Sequence, residues 1–322
     1  MNLMKKRLLL SVVVSALLLG GCGNKEENTI GIAEQYGIAY APLNIMKEMG
    51  ILEKKLPGVT IRWKQFGGPT AIRESMLNGQ VDFGFMGVAP VLIGIDNGME
   101  WKYATGISSN EVAIVTDRAD VKTLADFSDQ DRIAILSPGC TQHVLLCMLA
   151  ERQLGDAHGL DNQTVSMSHP DALQALLSHT EITAHIATPP YIEKEIQGGM
   201  HIMATGEEIM GEPFTFISGV AMTDFYEDHR DWYDAFIEAL DESIDYINEN
   251  MDECVRILAP VYGVSEEELR RQMTHNGTIY SNRLEGVEKI SEAMERMGFT
   301  KDNPDFDTII FDNVNRDEEK RP

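Results

Sequence analysis

The apolar residues of this chain fall in short strand-like runs separated by stretches of helical period. Thr29 to Ala33 (TIGIA) predicts a first strand, and Gln35-Tyr36-Gly37 the loop that leaves it. Pro42 to Met49 reads as a helix, and Val59 to Gln65 (VTIRWKQ) alternates with the period of a strand. Pro69 then opens a helix over Thr70 to Asn78, where a proline in the first turn loses no hydrogen bond, and Gly79 closes it. Val81 to Phe85 predicts a short buried strand, with Gly87-Val88-Ala89-Pro90 as the loop after it. Strand, helix and strand of these lengths predict parallel βαβ units and an α/β fold.

The second third repeats the scheme. Arg132 to Leu136 predicts a strand, followed by Ser137-Pro138-Gly139-Cys140-Thr141 and a helix to about Gln153. Pro170 opens another helix with Leu173, Leu176 and Leu177 as its apolar face, and Ile182 to Ala187 is the next strand. The halves echo each other: Pro69 precedes Val81 by the same twelve residues that separate Pro170 from Ile182, and Ile72 and Met76 match Leu173 and Leu177. Two similar lobes would then present loops at the C-terminal ends of parallel strands, where open α/β sheets bind ligands. The last third is helical. Asp231 to Asn250 carries Trp232, Phe236, Leu240, Ile244 and Ile247 at helical spacing, Ser265-Glu266-Glu267-Glu268 forms a capping box, and Leu284 to Met297 is amphipathic.

The first residues belong to another class of pattern. Lys5, Lys6 and Arg7 precede an apolar run from Leu8 to Leu19, and Leu19-Gly20-Gly21-Cys22 follows. A positive start, a short apolar stretch and small residues before a cut predict a secretory signal peptide over residues 1–21. The apolar run is too short for a membrane span, which needs about 20 residues. The Leu-x-Gly-Cys ending resembles a bacterial lipobox, which implies that Cys22 is acylated and that residues 22–28 are a polar tether. The expected location is therefore outside the cytoplasm, anchored to a membrane by lipid.

Charge and cysteine count narrow the function. The formal net charge of −24 argues against nucleic acid, which calls for a basic footprint. With Cys22 assigned to lipid, Cys140, Cys147 and Cys254 remain, an odd number that excludes a complete disulfide framework. Cys140 and Cys147 sit about 10 Å apart along one helix, so all three are expected as buried free thiols.

Phe66-Gly67-Gly68-Pro69, Leu77-Asn78-Gly79-Gln80-Val81-Asp82-Phe83-Gly84 and Gly87-Val88-Ala89-Pro90 together resemble the substrate-binding lipoproteins of nitrate, sulfonate and taurine ABC importers. Related binders of thiamine-pyrimidine precursors share the pattern. Tyr36 to Pro42, Ser137-Pro138-Gly139 and Pro189-Pro190-Tyr191 fit the same order. The resemblance implies a type II periplasmic-binding-protein fold of two lobes, each a mostly parallel sheet flanked by helices, with the ligand between them. Lobe 1 is expected over 29–112 and 223–322 and lobe 2 over 113–222, with crossings near Ser108 to Val115 and Ser218 to Met222. The implied partners are a small organic ligand, an ABC permease and its ATPase, and the protein is expected to be a monomer without cofactor. A ligand-sensing lipoprotein uncoupled from transport is the alternative from another class.

Gly67-Gly68-Pro69-Thr70 and Ser137-Pro138-Gly139-Cys140-Thr141 each place small residues at a helix N-terminus, where free N–H groups favour a negative ligand group. Thr70, Ser137 and Thr141 add hydroxyls, while Gly67, Gly68, Gly87 and Gly139 allow close approach. Gln142 and Thr188 are further polar candidates. Tyr36, Tyr40, Met86, Tyr191 and Phe214 are expected as apolar walls. No Arg or Lys falls in these loops, which favours a larger organic molecule over a bare ion. Replacing Gly139 with Val is expected to block the Ser137–Thr141 backbone and leave the fold intact. Cys140, His143 and Cys147 share one helical face, but no fourth zinc ligand is identifiable, so no metal is expected. Catalytic motifs such as GxSxG, HExxH and the P-loop do not occur, and His169-Pro170-Asp171 reads as a helix start, so no enzyme is expected.

Overall fold

The computed structural model describes residues 28–274 and 278–314. The expected signal peptide, Cys22 and nearly all of the tether lie outside the described residues. Eleven strands are present among the described residues: β1 (Thr29–Glu34), β2 (Thr60–Gln65), β3 (Phe83–Gly87), β4 (Trp101–Ser109), β5 (Ala113–Thr116), β6 (Ile133–Ile135), β7 (Thr164–Ser166), β8 (Ala184–Ala187), β9 (His201–Thr205), β10 (Ile217–Met222) and β11 (Ile279–Tyr280). They form two mixed sheets, ordered β11-β4-β10-β3-β1-β2 and β7-β6-β8-β5-β9. The strands β2, β1 and β3 run parallel, as do β7, β6 and β8. Each sheet is completed by antiparallel pairs, β10 with β3 and β4 in the first and β5 with β8 and β9 in the second.

The chain leaves the first sheet between Ser109 and Ala113, inside the expected first crossing. Its return falls earlier than expected. Residues 217–222 pair along both Phe83–Gly87 and Trp101–Ser108, so they are a central strand of the first sheet and the second crossing lies between Thr205 and Ile217. The expected lobe boundary at residue 222 therefore moves back to this segment.

Burial explains which segments became strands. Every residue of β1 and of β3 is buried, because helices cover both faces, as parallel sheet requires. Phe83 stacks on Phe236 with centroids 3.9 Å apart and meets Phe225 edge-on at 5.3 Å. Phe236 comes from the helix Arg230–Glu249, whose buried face also carries Leu240, Ile244 and Ile247. Trp232, expected on that face, is on its rim, and Tyr233 takes the core position. That helix packs along Ala41–Met49, returning the C-terminal third to the first sheet.

Two local expectations fail. Gly87 to Pro90 is not a loop: the helix Val88–Asp96 starts directly after β3, with Pro90 in its first turn. Six of its nine residues are buried and none is fully exposed, so it lacks the polar face that reveals a helix in sequence. Leu177, matched to Met76 by spacing, is exposed, whereas Leu176 is buried. The capping role of Ser265 holds, since its Oγ accepts from the Glu268 N–H at 3.2 Å. None of the described helices is long and apolar enough to cross a membrane.

Candidate ligand cleft

A narrow cleft lies where the two sheets face each other. Its first-lobe wall is Gln35, Tyr36, Ala39, Tyr40, Pro69, Gly87, Pro90, Phe216 and Ile217, and its second-lobe wall is Leu136, Cys140, Thr141, Gln142, His169 and Thr188. Three helices begin at this cleft: Pro69–Leu77, Val88–Asp96 and Thr141–Leu154. Their N-cap residues are Gly68, Gly87 and Cys140, none of which caps its own helix with its side chain. The positive ends of three helices thus meet at one cleft, where Pro69 and Pro90 bring no N–H and the Ala89 N–H is taken by Thr141.

Thr141 ties the lobes together inside the cleft. Its Oγ accepts the Ala89 N–H at 3.2 Å, and both residues are buried. Gly87 permits this approach, since a Cβ there would stand 2.3 Å from Thr141 Oγ. Gly139 makes a second close approach. With φ +76° and an imagined Cβ 2.3 Å from Ile93 Cδ1, it packs against the opposite lobe. A valine there strains the backbone and presses on that lobe, so the expectation of an undisturbed fold does not hold.

Of the residues singled out in sequence, Tyr36, Tyr40, Gly87, Thr141, Gln142 and Thr188 line the cleft. Gly68 borders it, one residue before Pro69 and 3.6 Å, by its imagined Cβ, from the Leu136 carbonyl across the gap. Tyr191 lies one layer behind, its ring stacked on His169 at 5.1 Å. Gly67 and Thr70 are exposed outside the lining, and Ser137 and Met86 are not part of it either; Met86 is wholly buried in the core. Phe214 lines a different groove, with Ser109, Asn110 and Glu207.

Gln35, Cys140 and His169 were not singled out as ligand contacts. Gln35 follows the first strand, a position with a weak signal. Its amide oxygen is buried without a hydrogen-bond partner. His169 looked like a helix start, and it is one: Ser168 caps the helix His169–Leu177. The missing signal is tertiary. His169 Nδ1 lies 2.8 Å from His185 Nε2, and His185 Nδ1 lies 2.6 Å from Glu195 Oε1. Burial pushes Glu195 up to about 9 and His185 down to about 3, and it lowers His169 with help from His185. Cys140 is raised by burial against the pull of nearby backbone N–H groups, the opposite of an activated nucleophile.

A second cluster stands outside the cleft. His143, Cys147 and Asp161 bring their polar atoms within 4.8 Å of one another, the arrangement nearest to a metal site among the described residues. Cys140 is not in it. The hydrogen bonds fix the chemistry. The Gly139 N–H donates to His143 Nδ1 at 3.0 Å, so His143 Nε2 carries the proton and donates to Asp161 at 3.1 Å. A ring in that tautomer has no lone pair left at Nε2 for an ion. His158 Nδ1 meets the other Asp161 oxygen at 2.9 Å, and its Nε2 meets the Met297 carbonyl at 2.6 Å. The carbonyl first, and Asp161 after it, raise His158 above its ordinary value. Cys140, Cys147 and Cys254 are buried free thiols.

Two sheets enclosing a cleft define the class, the periplasmic-binding-protein fold. The alkanesulfonate-binding protein SsuA of Xanthomonas axonopodis pv. citri, solved with MOPS bound, superposes with a TM-score of 0.73, covering 89% of this chain and 99% of that one at 19% identity. The nitrate-binding protein NrtA of Synechocystis PCC 6803 gives 0.71 at 15% identity, covering 91% of this chain and 87% of its own. The chain itself belongs to the NMT1-like family, which matches residues 23–259. Among its relatives is the putative aliphatic sulfonates-binding protein of Bacillus subtilis, 23% identical over 274 residues, 80% of this chain and 79% of the relative.

Proposed function

We propose that this protein is an exported solute receptor, held to a membrane by lipid on Cys22, that captures a small organic anion of the sulfonate or taurine kind and delivers it to an ABC permease. Lobe 1 is formed by residues up to 109 and from 217 onward, lobe 2 by 113–205. Closure of the lobes on the ligand makes the state that the permease reads. The observation that carries the ligand class is the convergence of three helix N-termini, from both lobes, on one cleft, one of them capped across it by Thr141. A sulfonate oxygen accepts from such N–H groups without a cationic side chain, and no Lys or Arg lines the cleft among the described residues. The sulfonate-binding names of relatives and fold neighbours support this reading, and the lipobox-like Leu19 to Cys22 supports the anchor. The raised thiol of Cys140 supports a binding role without covalent chemistry.

A heterocyclic ligand of the thiamine-pyrimidine kind is the second reading. It is favoured by the amides of Gln35 and Gln142, which pair naturally with ring nitrogens and amino groups, and by the His169–Tyr191 ring stack behind them. Calorimetric titration of the purified protein with alkanesulfonates, taurine and aminopyrimidines, with mass spectrometry of the protein as purified, separates the two. The expected result is one-to-one binding of an alkanesulfonate with a dissociation constant below millimolar. Binding weaker than millimolar for every sulfonate, or tighter binding of a pyrimidine, overturns the sulfonate reading.

A further inference from the structure

Behind the second-lobe wall, Glu195, His185 and His169 form a line that ends in the cleft. The three are at most 5% exposed. The two internal contacts, 2.6 Å and 2.8 Å, are hydrogen bonds, and each holds one proton between its two heavy atoms. A line with no net charge contains three protons, from a carboxyl and two neutral imidazoles. Two of them occupy the internal contacts. The third then sits at one of the two ends, His169 Nε2 or Glu195 Oε2.

The ends are not equivalent. Glu195 Oε2 is buried and has no hydrogen-bond partner, so a proton there is an unsatisfied donor. His169 Nε2 faces the cleft, with the Gln142 amide nitrogen at 3.4 Å and the Thr188 hydroxyl at 3.5 Å; a turn of the Gln142 amide brings its oxygen to the same place, and the hydroxyl can accept. Both contacts are long, which leaves the position open to a ligand. Burial keeps the line uncharged at neutral pH, raising the carboxyl and lowering both imidazoles. The other titratable groups against it are Tyr191, stacked on His169, and Tyr36 beside Tyr191. The strands flanking His185 place Val115 and Ala134 opposite it, both uncharged.

We propose that Glu195 and His185 act as positioning residues that fix His169 Nε2 as an N–H donor into the cleft, so that His169 selects a ligand bearing a hydrogen-bond acceptor at that point. The proposal rests on the cleft being the ligand site. A ligand presenting a donor there forces the third proton back to Glu195 Oε2, where nothing receives it.

Ring ¹⁵N spectra of the ligand-free protein at pH 7 test the proton inventory without any ligand. His169 and His185 are both expected as Nε2–H tautomers; Nδ1–H on both, or an imidazolium at His169, overturns the proposal. Titration with ethanesulfonate tests the selection. His169→Phe is expected to lose affinity by roughly tenfold or more, the range for a hydrogen bond to a charged group. Glu195→Gln is expected to keep wild-type affinity, because its amide N–H donates to His185 Nδ1 and preserves the direction of the line. Equal affinity in His169→Phe and wild type overturns the selector role. Failure of ethanesulfonate to bind wild type, with both tautomers as expected, refutes the sulfonate class and leaves the donor assignment supported.

Discussion

Two of the second lobe's histidine–carboxylate contacts are of nearly equal length and opposite character. His185 Nδ1 lies 2.6 Å from Glu195, and His158 Nδ1 lies 2.9 Å from Asp161. The first pair is 1% and 0% exposed, the second 44% and 39%. Without water, ionising both members of the buried pair costs more than their attraction returns, so the acid keeps its proton and the ring stays neutral. Where water reaches, the Met297 carbonyl and Asp161 both draw a proton onto His158. Proximity alone therefore does not decide ionisation; solvent does. The neutral pair is linked to the cleft through His169, while the charged one joins the second lobe to the C-terminal segment at Met297.

The largest expected contrast comes from deleting one ring in each pair. His185→Ala leaves a cavity and an unpartnered carboxyl in the core, and is expected to destabilise by about 3 kcal/mol. His158→Ala removes a half-exposed contact and should stay within about 1 kcal/mol. Urea unfolding of the two variants checks the order, and equal losses would erase the comparison.

Gly87→Ala is expected to come next. Its Cβ falls on Thr141, which must shift or part the lobes at the cleft. A loss of roughly tenfold in ethanesulfonate affinity follows, with a smaller effect on stability; one strong hydrogen bond sets that scale. Calorimetry on the variant reads it, and unchanged affinity would remove the Ala89–Thr141 junction from the site.

The pH dependence sharpens the contrast because the buried pair loses stability toward both acid and alkali, whereas His158 loses it only toward alkali. The folded pKa of His185 is depressed to about 3, so the unfolded chain binds protons below about 6.5 that the folded one refuses. The His185 contribution is expected to fall as pH drops from about 6.5 toward 4. For Glu195, raised to about 9, the unfolded chain releases its proton first, so its contribution falls as pH rises from about 4.3 toward 9, offsetting that of His185 below about 6.5. Glu195→Gln removes that alkaline loss and should gain on wild type between pH 5 and 9. His158, raised, contributes stability that is present below about 6.5 and lost as pH climbs through its folded value. The smallest effect is expected in His158→Gln, which should flatten that part of a melting-temperature profile and leave the acid side unchanged.

These pairs were the part of the molecule least legible in sequence. Val59 to Gln65 and Arg230 to Glu249 were readable because burial of one face leaves a period, and Thr29 to Ala33, buried throughout, because a short run with polar residues on both sides marks an inner strand. Val88 to Asp96 hid because none of its residues is fully exposed, and Ile217 to Met222 because antiparallel pairing with distant strands leaves no local trace. Site loops at helix starts were readable from their glycines, prolines and hydroxyls, which is why Gly87, Thr141 and Gln142 were found. Phe214 was misplaced, since an aromatic ring in a loop carries no sign of which groove it lines. The line from His169 to Glu195 spans a helix start, a strand and a second helix. No spacing rule joins those three positions.

The most direct measurement compares the histidine ring ¹⁵N spectrum with and without saturating ethanesulfonate. The His169 Nε2–H resonance is expected to shift as an acceptor oxygen replaces its long contacts, while His158 stays in place. An unmoved His169, or a shift confined to His158, would contradict a ligand site in the cleft.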